Sequence, residues 1–190
     1  TIRVVRSSAL AELGRVEEAA ADLRKMLDGK SDRETYLTMA QMYEKVKNYQ
    51  EMGRAIDEAE KLSISGDEKE VIHFMRGAML EKMKKPGESE AEFRKVLAMN
   101  PSSASALNYL GYMFADRGVR LSVALEMIQK ALAQDPHNGA YLDSLGWVYY
   151  RLDRLPDAEQ ALRQALNSTS TDPTINDHLG DVCARKGSLK

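Results

Sequence analysis

The residues best suited to chemistry are three histidines, a single cysteine and a scatter of carboxylates. His73 and His137 stand without a second histidine, cysteine or aspartate at the spacing a metal needs. His178 alone has carboxylates close by, Asp177 and Asp181. An Asp/His pair one helical turn apart can donate to a metal, but a solvated helix surface explains these three residues more simply. A glycine-rich phosphate loop is absent, because Gly111 and Gly146 are isolated within helical pattern. No serine, histidine and aspartate can be argued into a nucleophilic constellation. Asn167-Ser168-Thr169 fits a glycosylation sequon, a match common by chance. The ten methionines are spread through the chain, in places such as Met39 and Met79 that suit gap filling. These residues predict no catalytic group, no metal and no cofactor.

The elements that would have to position any site repeat themselves. Gly77, Gly111, Gly146 and Gly180 lie 34, 35 and 34 residues apart. Three follow a leucine, and three places on come Leu80, Phe114, Tyr149 and Cys183. A fixed period of this length marks a stacked array of like units. Cys183, in a place held elsewhere by core residues, is expected to be an inert packed thiol, or a reactive one if no second helix of its unit covers it. Within a unit the periodicity is helical throughout. Leu142, Leu145, Gly146, Tyr149 and Leu152 line one face at spacings of three and four. A break follows at Asp153–Pro156, and Ala158, Ala161, Leu162, Ala165 and Leu166 mark a second helix. Pro86-Gly87, Asn100-Pro101, Gly118, Asp135-Pro136 and Gly187 punctuate the turns. The looser joints fall at Ser63–Asp67 and Asn167–Asp172. The pattern gives five helix pairs and the first helix of a sixth, with units at about 1–32, 33–69, 70–103, 104–138, 139–172 and 173–190 of one array.

Composition agrees with a binding role. The chain has 190 residues, 29% charged and 43% apolar, with a formal net charge of −2. That charge provides no global field for nucleic acid or an anionic membrane. No apolar run approaches the ~18 residues of a membrane span. One cysteine cannot form an intrachain disulfide, so the redox compartment stays open. The chain opens in helical pattern without an initiator Met or a signal peptide, the expected look of a piece cut from a longer protein.

The pattern resembles the tetratricopeptide repeat (TPR) along essentially the whole chain. The family's first small-residue position matches Ser7, Ala40, Gly77, Gly111, Gly146 and Gly180. Its second, in the following helix, matches Ala19, Ser89, Ala124 and Ala158, and its bulky apolar position matches Leu23, Ile56, Phe93, Ile128 and Leu162. Antiparallel helices ~8–10 Å apart need small side chains where they come nearest. Met52, Arg6, Arg76 and Pro86 depart from the family pattern. The resemblance implies an all-α, right-handed superhelical solenoid of antiparallel helix pairs, about eleven helices in all. The stretches Leu107–Leu152 and Asp172–Gly187 look like those of bacterial TPR proteins, exported ones included. The compartment, cytoplasm or periplasm, stays open.

The resemblance also implies a concave groove lined by the first helix of each unit. Its groove positions fall on Asn108, Tyr112, Ala115 and Asp116, then Asp143, Trp147, Tyr150 and Arg151, then Asp177, Asp181 and Arg185. The lone tryptophan thus falls on a groove position between Tyr112 and Tyr150, in a mildly acidic setting. Aromatic anchors ringed by charge are the usual chemistry of binding hot spots. Packing against a neighbouring helix is the competing role for Trp147 and Tyr150. Upstream, Gln41, Glu44, Lys45, Phe74, Ala78, Glu81 and Lys82 make a mixed and weaker face. The family's clamp for a peptide carboxylate is missing, since its places hold Val4 and Ser8, Leu37 and Gln41, and Phe74 and Ala78. The expected function is a non-catalytic scaffold for a protein or peptide partner, without nucleic acid or membrane insertion. The alternatives are self-association through the open ends, or an accessory role in a larger protein.

Overall fold

The computed structural model describes residues 2–169 and 172–188. Among them are eleven α-helices and no strand. They are α1 (Ile2–Glu12), α2 (Val16–Arg24), α3 (Asp32–Lys45), α4 (Tyr49–Lys61), α5 (Gly66–Lys82) and α6 (Pro86–Met99), then α7 (Ala104–Asp116), α8 (Leu121–Gln134), α9 (Gly139–Arg151), α10 (Leu155–Ser168) and α11 (Pro173–Ser188). The joint expected at Asn167–Asp172 includes residues 170 and 171, which lie outside the described residues, as do residues 189 and 190. The chain forms two compact units, Thr1–Met99 and Asn100–Lys190. In the first, α1 pairs with α2, α3 with α4, and α5 with α6; in the second, α7 pairs with α8, α9 with α10, and α11 packs on α10 and α9.

The turn inside each pair has one construction. Seven residues after each small residue comes a left-handed residue: Gly14 (φ 76°), Lys47 (58°), Lys84 (59°), Gly118 (67°) and Asp153 (62°). The next N–H reaches back five residues to the closing helix, Arg15 to Leu10 at 2.8 Å and Asn48 to Tyr43, Lys85 to Leu80, Val119 to Phe114 and Arg154 to Tyr149 at 2.9 Å. This is the Schellman closure, which satisfies carbonyls the helix end would otherwise orphan. Proline then opens α6, and α10 carries one at its first turn, where a missing N–H costs nothing. The loose joint before α5 is closed by a capping box between Ser65 and Glu68. Gly187, expected in a turn, lies inside α11 instead.

The core follows the period. Ala19, Ala124, Ala158 and Ser89 are fully buried, and so are Leu23, Ile56, Phe93, Ile128 and Leu162. A Cβ on Gly77 would meet the Phe93 ring at 3.0 Å, one on Gly111 would meet Ile128 at 2.8 Å, and one on Gly146 would meet Leu162 at 2.5 Å. Close approach is therefore what glycine supplies at these places. Ser89 also returns a hydrogen bond from its Oγ to the Gly77 carbonyl at 2.8 Å. Met52, at a small-residue site, is 1% exposed and packs within the first unit's core. Gly180 differs, because nothing lies within 4 Å of the place a Cβ would take. Among the described residues no helix covers that flank of α11, so Cys183, expected to be packed, is exposed.

Candidate functional site

The predicted site residues lie on α7, α9 and α11, the first helices of their pairs, and α9 packs on both of the others. The period brings the aromatic residues together. The Trp147 ring stacks on Tyr150 at 5.0 Å between centroids, with 19° between planes. Its other neighbour is His178, stacked at 4.3 Å and also at 19°. Beyond it, Tyr112 tilts toward His178 at 6.3 Å. At the far end the Arg185 guanidinium lies over the Tyr150 ring at 5.2 Å, a cation–π arrangement. One continuous stack thus runs across all three helices.

His178 was not among the predicted site residues. It is 8% exposed and not on a solvated surface. Its carboxylate partner is neither Asp177 nor Asp181 but Asp143, whose Oδ1 accepts from His178 Nδ1 at 2.8 Å. Asp143 is itself 7% exposed. The pair ties α9 to α11 across 35 residues, one repeat, and the period was the signal that could have found it.

The other expected groove residues divide into three groups. Asn108 is 8% exposed and Ala115 fully buried, so neither stands open to solvent. Arg151 and Arg185 are committed to the preceding repeat. Arg151 donates to the Asp116 carbonyl at 2.8 Å and its guanidinium lies over Gly118. Arg185 donates to the Tyr150 carbonyl at 3.5 Å and pairs with Asp153 at 2.9 Å. Both cations sit at helix C-termini, where the macrodipole favours them. Asp116, Asp177 and Asp181 are exposed. Trp147 is half-buried, which combines the two expectations for it: its ring is held by neighbours and part of it is accessible.

Two polar atoms of the site are buried and find no hydrogen-bond partner among the described residues: Trp147 Nε1 and Asn108 Oδ1. Leaving such a group unpaired costs about 1–3 kcal/mol. The site therefore holds one unused donor and one unused acceptor.

Elsewhere the histidines are structural or exposed. His73 Nδ1 lies 2.6 Å from Glu92. Burial pushes the Glu92 carboxyl up, but hydrogen bonds from Lys95 and His73 outweigh it and hold the group below its ordinary value. His137 is exposed. Among the described residues no three His, Cys, Asp or Glu side chains gather as metal ligands. No helix among them is long and apolar enough to cross a membrane. In the first unit, Gln41 and Lys45 join Val4, Ser7, Ser8 and Leu23 around a cavity of about 140 Å³. Phe74 packs edge-on against Phe93 at 5.6 Å.

Repeated antiparallel helix pairs of this length define a helical-repeat protein. The sequence model of the tetratricopeptide repeat matches residues 76–119 and 120–173. The chain belongs to the tetratricopeptide repeat family, whose fold serves as a protein–protein interaction scaffold. A TPR repeat-containing protein of Pseudomonas aeruginosa is 37% identical over 174 residues, 90% of this chain. The chain spans only 29% of that relative's length. The bacterial character expected of the repeats agrees with that match. Among solved structures, YrrB, described as a TPR protein with an unusual peptide-binding site, superposes with a TM-score of 0.60 at 20% identity, covering 92% of this chain and 89% of that one. MamA of Desulfovibrio magneticus gives 0.66 at 24% identity, covering 90% and 96%. PilF of Pseudomonas aeruginosa gives 0.68 at 18%, covering 83% and 70%. At these identities the likeness is one of fold.

Proposed function

We propose that the chain is a non-catalytic scaffold whose second unit holds a peptide or helix of a protein partner along α7, α9 and α11. The groove is built from Asn108, Tyr112, Asp116, Asp143, Trp147, Tyr150, Arg151, Asp177, Asp181 and Arg185, with His178 added, and Asn108 and Asp143 lie beneath its surface. The observation that carries the reading is the stack Tyr112–His178–Trp147–Tyr150, which offers flat apolar surface at the half-buried Trp147. Rigid aromatic surface is what an anchoring side chain of a partner packs against. The test uses a displayed library of random linear peptides selected on the wild-type chain. Binding of the selected peptides should fall at least about tenfold in Trp147→Ala/Tyr150→Ala, the scale of a hot-spot loss. Far-UV dichroism should show helicity intact. Full retention of binding in that folded variant would remove the groove from consideration.

A second reading, self-association through an end of the array, draws on the exposed apolar residues Ile2 (89%), Val5 (70%) and Leu13 (73%). The 29% share of the Pseudomonas relative supports a further role for the chain as an accessory segment of a larger protein.

A further inference from the structure

Resting on the groove reading above, we infer that the ligand is cationic: a peptide segment whose Lys or Arg enters beside Asp177 and Asp181 while a neighbouring aromatic or apolar side chain lies on the Trp147 stack. Counted from sequence, the groove holds Asp116, Asp143, Asp177 and Asp181 against Arg151 and Arg185 and is mildly acidic. In the structure both arginines are drawn away, Arg151 to the Asp116 carbonyl and Arg185 to the Tyr150 carbonyl and Asp153. Asp143 is taken by His178. The carboxylates of Asp116, Asp177 and Asp181 stay at the surface. Asp177 and Asp181 are one turn apart on α11 and bracket His178, whose ring lies on Trp147. The free charge nearest the stack is therefore negative.

A second and independent feature asks for a donor. Asn108 occupies in its repeat the place that Asp143 and Asp177 occupy in theirs, 35 and 34 residues on. It lies one turn before Tyr112 on the same face of α7, the face whose ring meets His178. Its Oδ1 is buried without a hydrogen-bond partner among the described residues. A ligand ammonium or guanidinium brings several donors at once, enough for both carboxylates of α11, and the donors of the same peptide segment are what this oxygen lacks. A ligand guanidinium can also sit over the aromatic stack, as Arg185 sits over Tyr150.

The peptide library again gives the test, read this time for charge. Selected peptides should be enriched in Lys or Arg next to an aromatic residue. Quenching of Trp147, the only tryptophan, reports their affinity in solution. Asp177→Asn/Asp181→Asn should weaken binding about three- to tenfold at low salt, with the difference shrinking as salt rises. Glu17→Gln/Glu126→Gln, which changes net charge equally at exposed sites outside the groove, should leave affinity unchanged. Selection of neutral or acidic peptides, or equal affinity in the aspartate variant, would overturn the inference. Peptides lost in Trp147→Ala/Tyr150→Ala but indifferent to the aspartates would keep the groove and discard the cation. Failure to select any peptide would discard both.

Discussion

At the scale of single residues, one glycine position carries two opposite predictions. Gly146 and Gly180 hold the same place in successive repeats, and both lie inside helices. Replacing a helical glycine by alanine gains about 1 kcal/mol when nothing else changes. At Gly146 much else changes. The new Cβ would stand 2.5 Å from Leu162 Cγ and 3.3 Å from the Ala158 carbonyl oxygen. The branch point of a fully buried leucine cannot step aside cheaply, and overpacking of this kind costs about 1–3 kcal/mol. Gly180 has nothing within 4 Å. Gly146→Ala should therefore lower the thermal midpoint and Gly180→Ala should raise it by a few degrees, the second worth about 0.5–1 kcal/mol. If both variants shift the same way, close helix approach is not what the period encodes.

At the scale of elements, the five left-handed turn residues make a natural experiment. Two are glycine, and Lys47, Lys84 and Asp153 are not. The left-handed conformation costs an ordinary residue roughly 1–2 kcal/mol, with Asp less penalised than Lys. Glycine removes that strain but loses more chain entropy on folding. Lys84→Gly and Lys47→Gly should each gain about 0.5–1 kcal/mol in chemical denaturation, and Asp153→Gly less. A loss at both lysines would mean that their side chains, not the backbone, hold the turns. These turns also show how far the elements were legible in sequence. Gly118 and Pro156 announced themselves, because each has a backbone property no other residue shares. Lys47 and Lys84 carry no such signal, and only their distance from Ala40 and Gly77 places them in the same turn. The phase of the repeat likewise put Tyr112, Trp147 and Tyr150 together. It could not show that Arg151 and Arg185 are drawn to helix ends, because long side chains reach several atoms beyond the position the phase assigns. Nor did it single out His178, whose partner Asp143 lies a full repeat away.

At the scale of the whole molecule, a repeat protein draws its stability from neighbours, so the faces on which its repeats meet are apolar and buried. Ile72 and Met79 on α5, and Ile175 and Val182 on α11, occupy the places that Ile2 and Ala9 occupy on α1. The former are at most 7% exposed, whereas Ile2 is 89% exposed and Val5, one turn on, is 70%. Ile2 and Val5 share one side of α1, since spacings of three and four return to the same side, and Leu13 follows in the turn after it. A formal charge of −2 opposes association only weakly. One helix of 11 residues on another buries less than the ~1,200 Å² of a standard interface, so any pairing through α1 is weak and concentration-dependent. Light scattering should accordingly show a mass rising from one chain toward two between about 10 and about 500 µM, the range of weak complexes. Val5→Glu should hold the chain at the monomer mass over the same range with its thermal midpoint unchanged, because the residue stands outside the core. A wild-type mass that stays at one chain throughout would remove self-association through α1.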